Sequence, residues 1–343
     1  MKSGSLQGAG PTALGAWTPP FGAIECRAVR FRQPRALAIE HIEVRSPGAG
    51  EVRVRLEGCG VCASNLPVWE GRPWFTYPFS PGAPGHEGWG AVDAVGEGVA
   101  GLAIGDRVAL LSYNAYAEYD IAPASAVVGL PDALAGRAFP GEPLGCVMNI
   151  FRRSAIERGQ TVAIVGIGFI GAALTSLAAR AGARVIALSR RSFALEMAER
   201  MGASALIPLE DASRAVAQAR AVAGGDGCHC VIEAVGVQQT LDIAAELTGV
   251  RARLVIAGYH QDGPRQVNLQ QWNWRGLDVI NAHERDAAVY RRGMEEAVEL
   301  VARGGFDPEP LWTHRFPLEE AGAAFEALAR RPAGIMKALI ECG

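Results

Sequence analysis

Between Gln160 and Arg191 the chain reads QTVAIVGIGFIGAALTSLAARAGARVIALSRR, and this stretch constrains its fold most tightly. Thr161 to Val165 is a short apolar β run. Gly166-Ile167-Gly168-Phe169-Ile170-Gly171 follows directly. A helix of small residues then runs to Ala181, Gly182 stops it, and a second β run covers Arg184 to Leu188. Strand, glycine turn and helix in this order form the dinucleotide-binding fingerprint. Gly166 allows the tight turn, Gly168 lets the backbone approach a pyrophosphate, and Gly171 lets helix and strand pack closely. Phe169 and Ile170 open the helix, whose free N–H groups and positive dipole end suit phosphate.

The end of the second strand selects between coenzymes. A carboxylate there would bind the ribose 2′-hydroxyl of NAD. Here Ser189-Arg190-Arg191-Ser192 stands instead, with two guanidiniums, two hydroxyls and no acid. That composition suits a 2′-phosphate and predicts NADP(H) over NAD(H). A solvated basic turn is the competing reading.

A chain of 343 residues has two domains as its natural prior. Hydrophobic content of 49% with 20% charge indicates a globular protein with ample core, and a net charge of −3 offers no electrostatic case for nucleic acid or anionic membrane. No apolar run is long enough for a bilayer span. Residues 1–23 lack the apolar stretch of a signal peptide and read as a flexible extension. Seven cysteines without a disulfide-like spacing fit a reducing cytoplasm.

From Cys26 to Leu56 the pattern is β. Glu51 to Leu56 alternates strictly, which turns Val52, Val54 and Leu56 to a core and the charges to water. Short β runs continue over Gly88–Val95, Arg107–Leu111 and Ala117–Ala122, resembling a small barrel or sandwich. A helix is expected toward Ile156. After Arg191 the βα alternation continues, with strands ending at Ala234 and Gly258 and a last one over Leu277–Ile280. This predicts a doubly wound parallel sheet. Helical segments follow around Gly293–Arg303 and Leu318–Arg330, then a terminal strand over Lys337–Glu341.

Two glycine-flanked segments hold candidate metal ligands: Gly58-Cys59-Gly60-Val61-Cys62-Ala63-Ser64-Asn65 and Gly85-His86-Glu87-Gly88. Thiolate and imidazole are ligands zinc prefers, and Glu142 or Cys146 could supply a third. Spacing alone leaves open a small core cysteine and an ordinary hydrogen-bonded histidine.

At these residues the chain resembles the zinc-containing medium-chain dehydrogenase/reductase family of the alcohol dehydrogenase type. GCGVCASN, PGHEGWGAVDAVGEGV, GDRV, EPLGC, GIGFIG and THRFPLEEAGAAFE carry the resemblance, which runs from about Cys26 onward. It implies α/β architecture: a GroES-like β-barrel catalytic domain over residues 24–150 and a Rossmann NADP-binding domain over 151–284. A segment over 285–343 would return to the catalytic domain. It implies one catalytic zinc per subunit on Cys62, His86 and Glu142, with Glu87 as the acid beside the metal and Cys146 as a reserve ligand. Ser64 matches the hydroxyl that takes the substrate proton. The cofactor contacts expected are Gly166, Gly168, Phe169, Ile170, Gly171, Ser189, Arg190, Arg191, Ala234 and Gly258. The resemblance further implies an alcohol, aldehyde or ketone substrate and a homodimer or homotetramer.

Three departures from the family pattern bear on function. Asn65 replaces the usual Asp that orients the zinc-binding histidine; Asn can still accept that N–H through its carbonyl, without the charge. Pro67 occupies the position of a relay histidine. No four-cysteine lobe follows Gly105-Asp106-Arg107-Val108, so no structural zinc is expected. Trp69, Trp74, Phe75 and Tyr77 lie between the ligand segments, either over the cleft, which would suit a bulky or aromatic substrate, or packed in the barrel. Tyr259-His260 and Asn281-Ala282-His283 follow late strands and could border the crevice. Competing readings are a zinc-free reductase of quinones or activated alkenes and a non-catalytic NADP-binding protein.

Overall fold

The computed structural model describes residues 22–343, so the expected extension over 1–23 lies outside the described residues except for its last two. β1 (Ile24–Gln33) and β2 (Ala36–Val44) pair as an antiparallel hairpin. β3 (Glu51–Gly60) is followed by the short helix α1 (Leu66–Glu70), then β4 (Gly88–Val95), β5 (Arg107–Leu110), β6 (Tyr119–Pro123) and β7 (Val127–Gly129). β3 is the spine of this sheet. It pairs with β4 along one edge and with β6 along the first half of the other. Val52, Val54 and Leu56 face a core shared with Phe31, Tyr116 and Phe325. The alternation fails at one position. Arg53 is buried at 4% exposure, where its Nε donates to Asp93 at 2.6 Å and its Nη1 to the Gly22 carbonyl at 2.8 Å. An ion pair and carbonyl acceptors satisfy the guanidinium, so it does not need water.

After the helix α2 (Gly141–Ser154), strand and helix alternate: β8 (Thr161–Val165), α3 (Phe169–Arg180), β9 (Arg184–Ser189), α4 (Ser192–Arg200), β10 (Ala205–Pro208), α5 (Ala212–Ala223), β11 (Cys228–Glu233), α6 (Gln238–Leu247), β12 (Thr248–Ile256), α7 (Leu269–Arg275) and β13 (Asp278–Asn281). The sheet order is β10-β9-β8-β11-β12-β13, all parallel. Val162 and Ile164 of β8 pack on one face and Ala163 and Val165 on the other. Burial on both faces explains the uninterrupted apolar run. The strand order reverses between β8 and β11, and ligand crevices in such sheets open at that switch point. β12 runs from Thr248 to Ile256 and so stops just short of Gly258.

The remaining chain forms α8 (Ala287–Ala302), β14 (Trp312–Pro317), α9 (Ala321–Arg330) and β15 (Lys337–Glu341). α8 begins earlier than its apolar spacing indicates, because the Asp286 carboxylate caps it by accepting from the Ala288 N–H at 2.9 Å. β15 runs antiparallel to β3, with Leu339 opposite Gly60, and carries the chain back to the first sheet. Among the described residues, no helix is long and apolar enough to cross a membrane.

Candidate metal and dinucleotide cleft

A cleft of about 890 Å³ runs between the two sheets. Cys62, Ser64, His86, Glu87, Glu142 and Cys146 line one end. Gly166, Gly168, Phe169 and Ile170 line its middle, followed by Ser189, Arg190 and Arg191. Ala234 and Val235 close one wall, with Tyr259, Ala282, His283 and Glu284. Gly258 does not line it. A side chain there would sit 2.2 Å from the Gly236 nitrogen, so this glycine lets two loop backbones touch behind the wall.

The glycine turn is built as its sequence implies. Gly166 has φ +100, a conformation that favours glycine. A Cβ at Gly171 would lie 2.1 Å from the Gly166 carbonyl oxygen, whereas one at Gly168 would meet no protein atom within 4 Å. Close packing therefore requires Gly171, and Gly168 keeps the backbone open to the cleft. Gly168 is the N-cap of α3, and no side chain caps that end. The first N–H groups are left to serve a ligand. The Phe169 side chain is occupied elsewhere, stacked on Trp312 at 5.0 Å between ring centroids.

At the other end, ligand atoms of Cys62, His86 and Glu87 lie within 4.8 Å of one another. The expected third ligand, Glu142, stands beside this group but outside it; its carboxylate accepts from the Cys146 thiol at 3.3 Å, one helical turn away. Burial and the neighbouring Glu142 push that thiol well up. Burial also raises the Glu142 carboxyl, with His86 opposing and Glu87 reinforcing the shift. Burial alone would lower the His86 imidazole, but Cys62, Glu142 and Glu87 outweigh it and raise its pKa to about 10.

His86 donates from Nδ1 to the Pro84 carbonyl at 2.9 Å, which leaves Nε2 for the cluster. This corrects the expected role of Asn65. Its carbonyl does not accept from His86. Instead its amide donates to the same Pro84 oxygen at 3.1 Å and to the Tyr116 hydroxyl oxygen at 3.0 Å. Asn65 therefore steadies the acceptor of the histidine, not the histidine itself. Ser64 donates from Oγ to the Cys62 sulfur at 3.1 Å and so faces the same end of the cleft.

Glu87 is fully buried, and its partner is Lys337 of β15, with Nζ to Oε1 at 2.5 Å. Burial works against the lysine charge, but Glu87 and Cys62 outweigh it and hold its pKa up. The second carboxylate oxygen, Oε2, is buried with no protein partner. A Cβ at Gly60 would lie 1.9 Å from that oxygen, so this glycine makes room for it. An orphaned buried carboxylate oxygen beside a thiol and an imidazole is a donor set that fits zinc. The only sequence signal for Lys337 was one cation inside the apolar run IMKALI.

Other features of the sequence resolve differently. Trp69 packs against Phe31 and Phe325 in the barrel, with ring centroids at 6.5 and 5.7 Å, and the Tyr77 hydroxyl donates to the Val68 carbonyl. Trp69, Trp74, Phe75 and Tyr77 do not line the cleft, so they give no support for a bulky aromatic substrate. Cys59 is buried in the barrel core, and Cys26, Cys228, Cys230 and Cys342 are buried too. Tyr259 and His283 stack in parallel at 5.4 Å in the cleft wall. His260 turns away, to Glu233 at 3.0 Å. Sequence reasoning missed Glu233, a fully buried carboxylate that accepts from the N–H groups of Val235 and Gly236 and from Thr240 Oγ1. It fixes the loop that presents Ala234 and Val235.

The GroES-like domain model of the alcohol dehydrogenases matches residues 48–132, and the zinc-binding dehydrogenase model matches residues 170–303. The chain is 27% identical to 2-dehydro-3-deoxy-L-galactonate 5-dehydrogenase of Pseudoalteromonas atlantica, covering 87% of this chain and 93% of that protein. It is 28% identical to sorbitol dehydrogenase of Homo sapiens, covering 90% and 94%. Among solved structures, a protein of Sinorhizobium meliloti described as resembling zinc-binding dehydrogenases and bound to NADP superposes with a TM-score of 0.80 at 26% identity, covering 93% of this chain and 99% of that one. The matches fall on both sheets in chain order, and the protein belongs to the zinc-containing medium-chain dehydrogenase/reductase family.

Proposed function

We propose that this protein is a zinc-dependent oxidoreductase that moves a hydride between NADP(H) and an alcohol or carbonyl substrate. One observation carries the reading. A single cleft joins the Cys62–His86–Glu87 cluster to an acid-free Ser189–Arg190–Arg191 turn across the glycine loop. Cys62, His86 and Glu87 would hold the metal, with Glu142 beside them. When bound, zinc supplies Lewis acidity and the nicotinamide supplies hydride chemistry. The chain supplies position and proton handling. Ser64 is placed to hydrogen-bond a substrate oxygen and pass its proton. Pro67 has no group that could relay that proton, so its exit does not run through the side chain at position 67. Lys337 holds Glu87 in place, and Glu233 fixes the cleft wall.

The substrate class we favour is a polyol or sugar acid with a secondary alcohol. The two relatives named above, acting on such compounds by their names, support it. Polar Ser64, His283, Glu284 and Tyr290 in the lining add support. We further propose a homo-oligomer. β13 is an open edge of its sheet, and Leu269 and Trp274 nearby are 66% and 90% exposed.

The deciding experiment measures zinc per subunit and titrates NADPH and NADH into the same sample. About one zinc with tighter NADPH binding is expected. No zinc after reconstitution would sink the metal reading. NADH bound as tightly as NADPH would sink the coenzyme reading. Full activity in Cys62→Ala would favour the zinc-free reductase.

A further inference from the structure

The β9 end of the cleft gathers three guanidiniums, and one of them comes from the far end of the chain. Arg190 and Arg191 follow β9; Arg331 follows α9 and lines the same cleft. Arg331 adopts the left-handed region at φ 49 and closes α9 by donating its N–H to the Ala327 carbonyl.

The three do not do the same work. Arg191 donates from Nη1 to the Ile335 carbonyl at 2.7 Å and from Nη2 to the Ile167 carbonyl at 3.4 Å. It thereby ties the segment after α9 to the glycine turn. Arg190 and Arg331 side chains make no ion pair with a carboxylate among the described residues. The arginines also repel one another. Desolvation and then Arg331 lower the Arg191 pKa, and desolvation and then Arg190 lower that of Arg331. Like charges collected without an acid cost stability unless an anion joins them.

We infer that Arg331 and Arg190 together grip the 2′-phosphate of NADP(H), while Arg191 is a positioning residue that holds the Arg331 segment against the glycine turn. This rests on the NADP(H) reading above. A dianionic phosphate accepts paired N–H groups from guanidinium forks, which is the geometry two converging arginines offer. Arg331 is then a specificity-determining residue for NADP(H). Because it comes from α9 and not from β9, the phosphate binds the C-terminal segment and the parallel sheet together.

The test titrates NADPH, NADH, 2′,5′-ADP and 5′-AMP into wild type, Arg331→Asn, Arg331→Lys and Arg191→Gln, following ligand or protein fluorescence. Asn tolerates the left-handed backbone, so Arg331→Asn removes charge without strain. Loss of a charge-assisted contact predicts NADPH and 2′,5′-ADP weakened by about 10-fold or more, with NADH and 5′-AMP within about 2-fold. Arg331→Lys, which keeps the charge but not the fork, should weaken NADPH by a few-fold and serves if the Asn variant is unstable. Arg191→Gln should instead weaken both coenzymes and lower the melting temperature. NADPH binding unchanged in Arg331→Asn, or both coenzymes weakened equally, would overturn the Arg331 assignment while leaving a wild-type NADPH preference intact. A wild type without that preference would overturn the coenzyme reading itself, and this inference with it.

Discussion

Replacing Asn65 by Asp would restore the residue usual in the family, and the site geometry predicts that it harms the protein. Asn65 is 4% exposed, and both hydrogens of its amide are committed, to Pro84 O and to the Tyr116 hydroxyl oxygen. Asp has no hydrogen to give. Its carboxylate would face the Pro84 carbonyl, an acceptor. Tyr116 could turn its proton to the new acid only by giving up the Gly60 carbonyl, to which it donates at 3.3 Å. One buried polar group is left unsatisfied whichever way Tyr116 turns, at a cost of about 1–3 kcal/mol. For a chain of this length the unfolding entropy is about 0.7 kcal/mol/K, so the melting temperature should fall by about 1–4 °C. Zinc affinity should not rise, because Pro84 already accepts the His86 proton. Melting curves and chelator competition for zinc, run on Asn65→Asp and wild type together, measure both. Zinc held about 10-fold tighter with no loss of melting temperature would refute the reasoning, since the new acid would then be orienting His86 directly.

Lys337→Met should destabilise the metal-free protein by about 3–5 kcal/mol, because Glu87 would keep a buried charge with neither oxygen partnered. In the Glu87→Gln background the same change should cost far less; equal costs in urea melts would show that the pair does not couple. The metal-free protein should also lose stability in alkali. The folded His86 pKa of about 10 exceeds the ordinary value, so its contribution is complete below about pH 6.5 and lost as pH rises through 10. His86→Gln should flatten that slope, and melting curves from pH 6 to 10 that keep it would locate the titration elsewhere. Gly171→Ala would drive a methyl toward the Gly166 carbonyl. It should weaken NADPH and NADH alike by at least about 10-fold, and unchanged binding would mean that the turn is not the pyrophosphate seat. Trp274→Ser should shift sedimentation toward a smaller species if β13 lies at a subunit contact, whereas an unchanged coefficient would place the contact elsewhere.

The glycine turn was readable because its requirements are local. A positive φ, an open approach and a close helix contact all fall within six residues. The β character around Val52 and Val54 was readable from alternation, but the same rule sent Arg53 to solvent. Its partner Asp93 lies 40 residues away, and pairing across a sheet leaves no local trace. Asn65 was misread for a related reason. Its motif placed it beside the histidine, but the intervening acceptor is a backbone carbonyl, and side-chain identity does not record carbonyl positions. Trp69 stacks on Phe325 from α9, a contact between residues 256 positions apart, so the sequence alone could not choose between the cleft and the barrel core. Lys337 meets Glu87 across 250 positions and Arg331 comes to the β9 turn across 141 from Arg190 (331 − 190), and only the oddity of a cation in an apolar strand hinted at one of them.

The pairing of β15 with β3 also sets an order of events during synthesis. The Glu87 carboxylate meets its lysine only after 250 further residues have been added. Until then the ribosome-bound chain carries an acid, a thiol and an imidazole in a half-made barrel whose β3 edge from Gly58 to Gly60 lacks its partner strand. Every strand of the parallel sheet has emerged by Asn281, before β15 is made, so that sheet can close first while the barrel waits. That waiting edge can pair with another chain. A chaperone or an early metal ion that shields it would therefore raise the yield of native protein, and a nascent chain stalled before Lys337 should aggregate through residues 58–60.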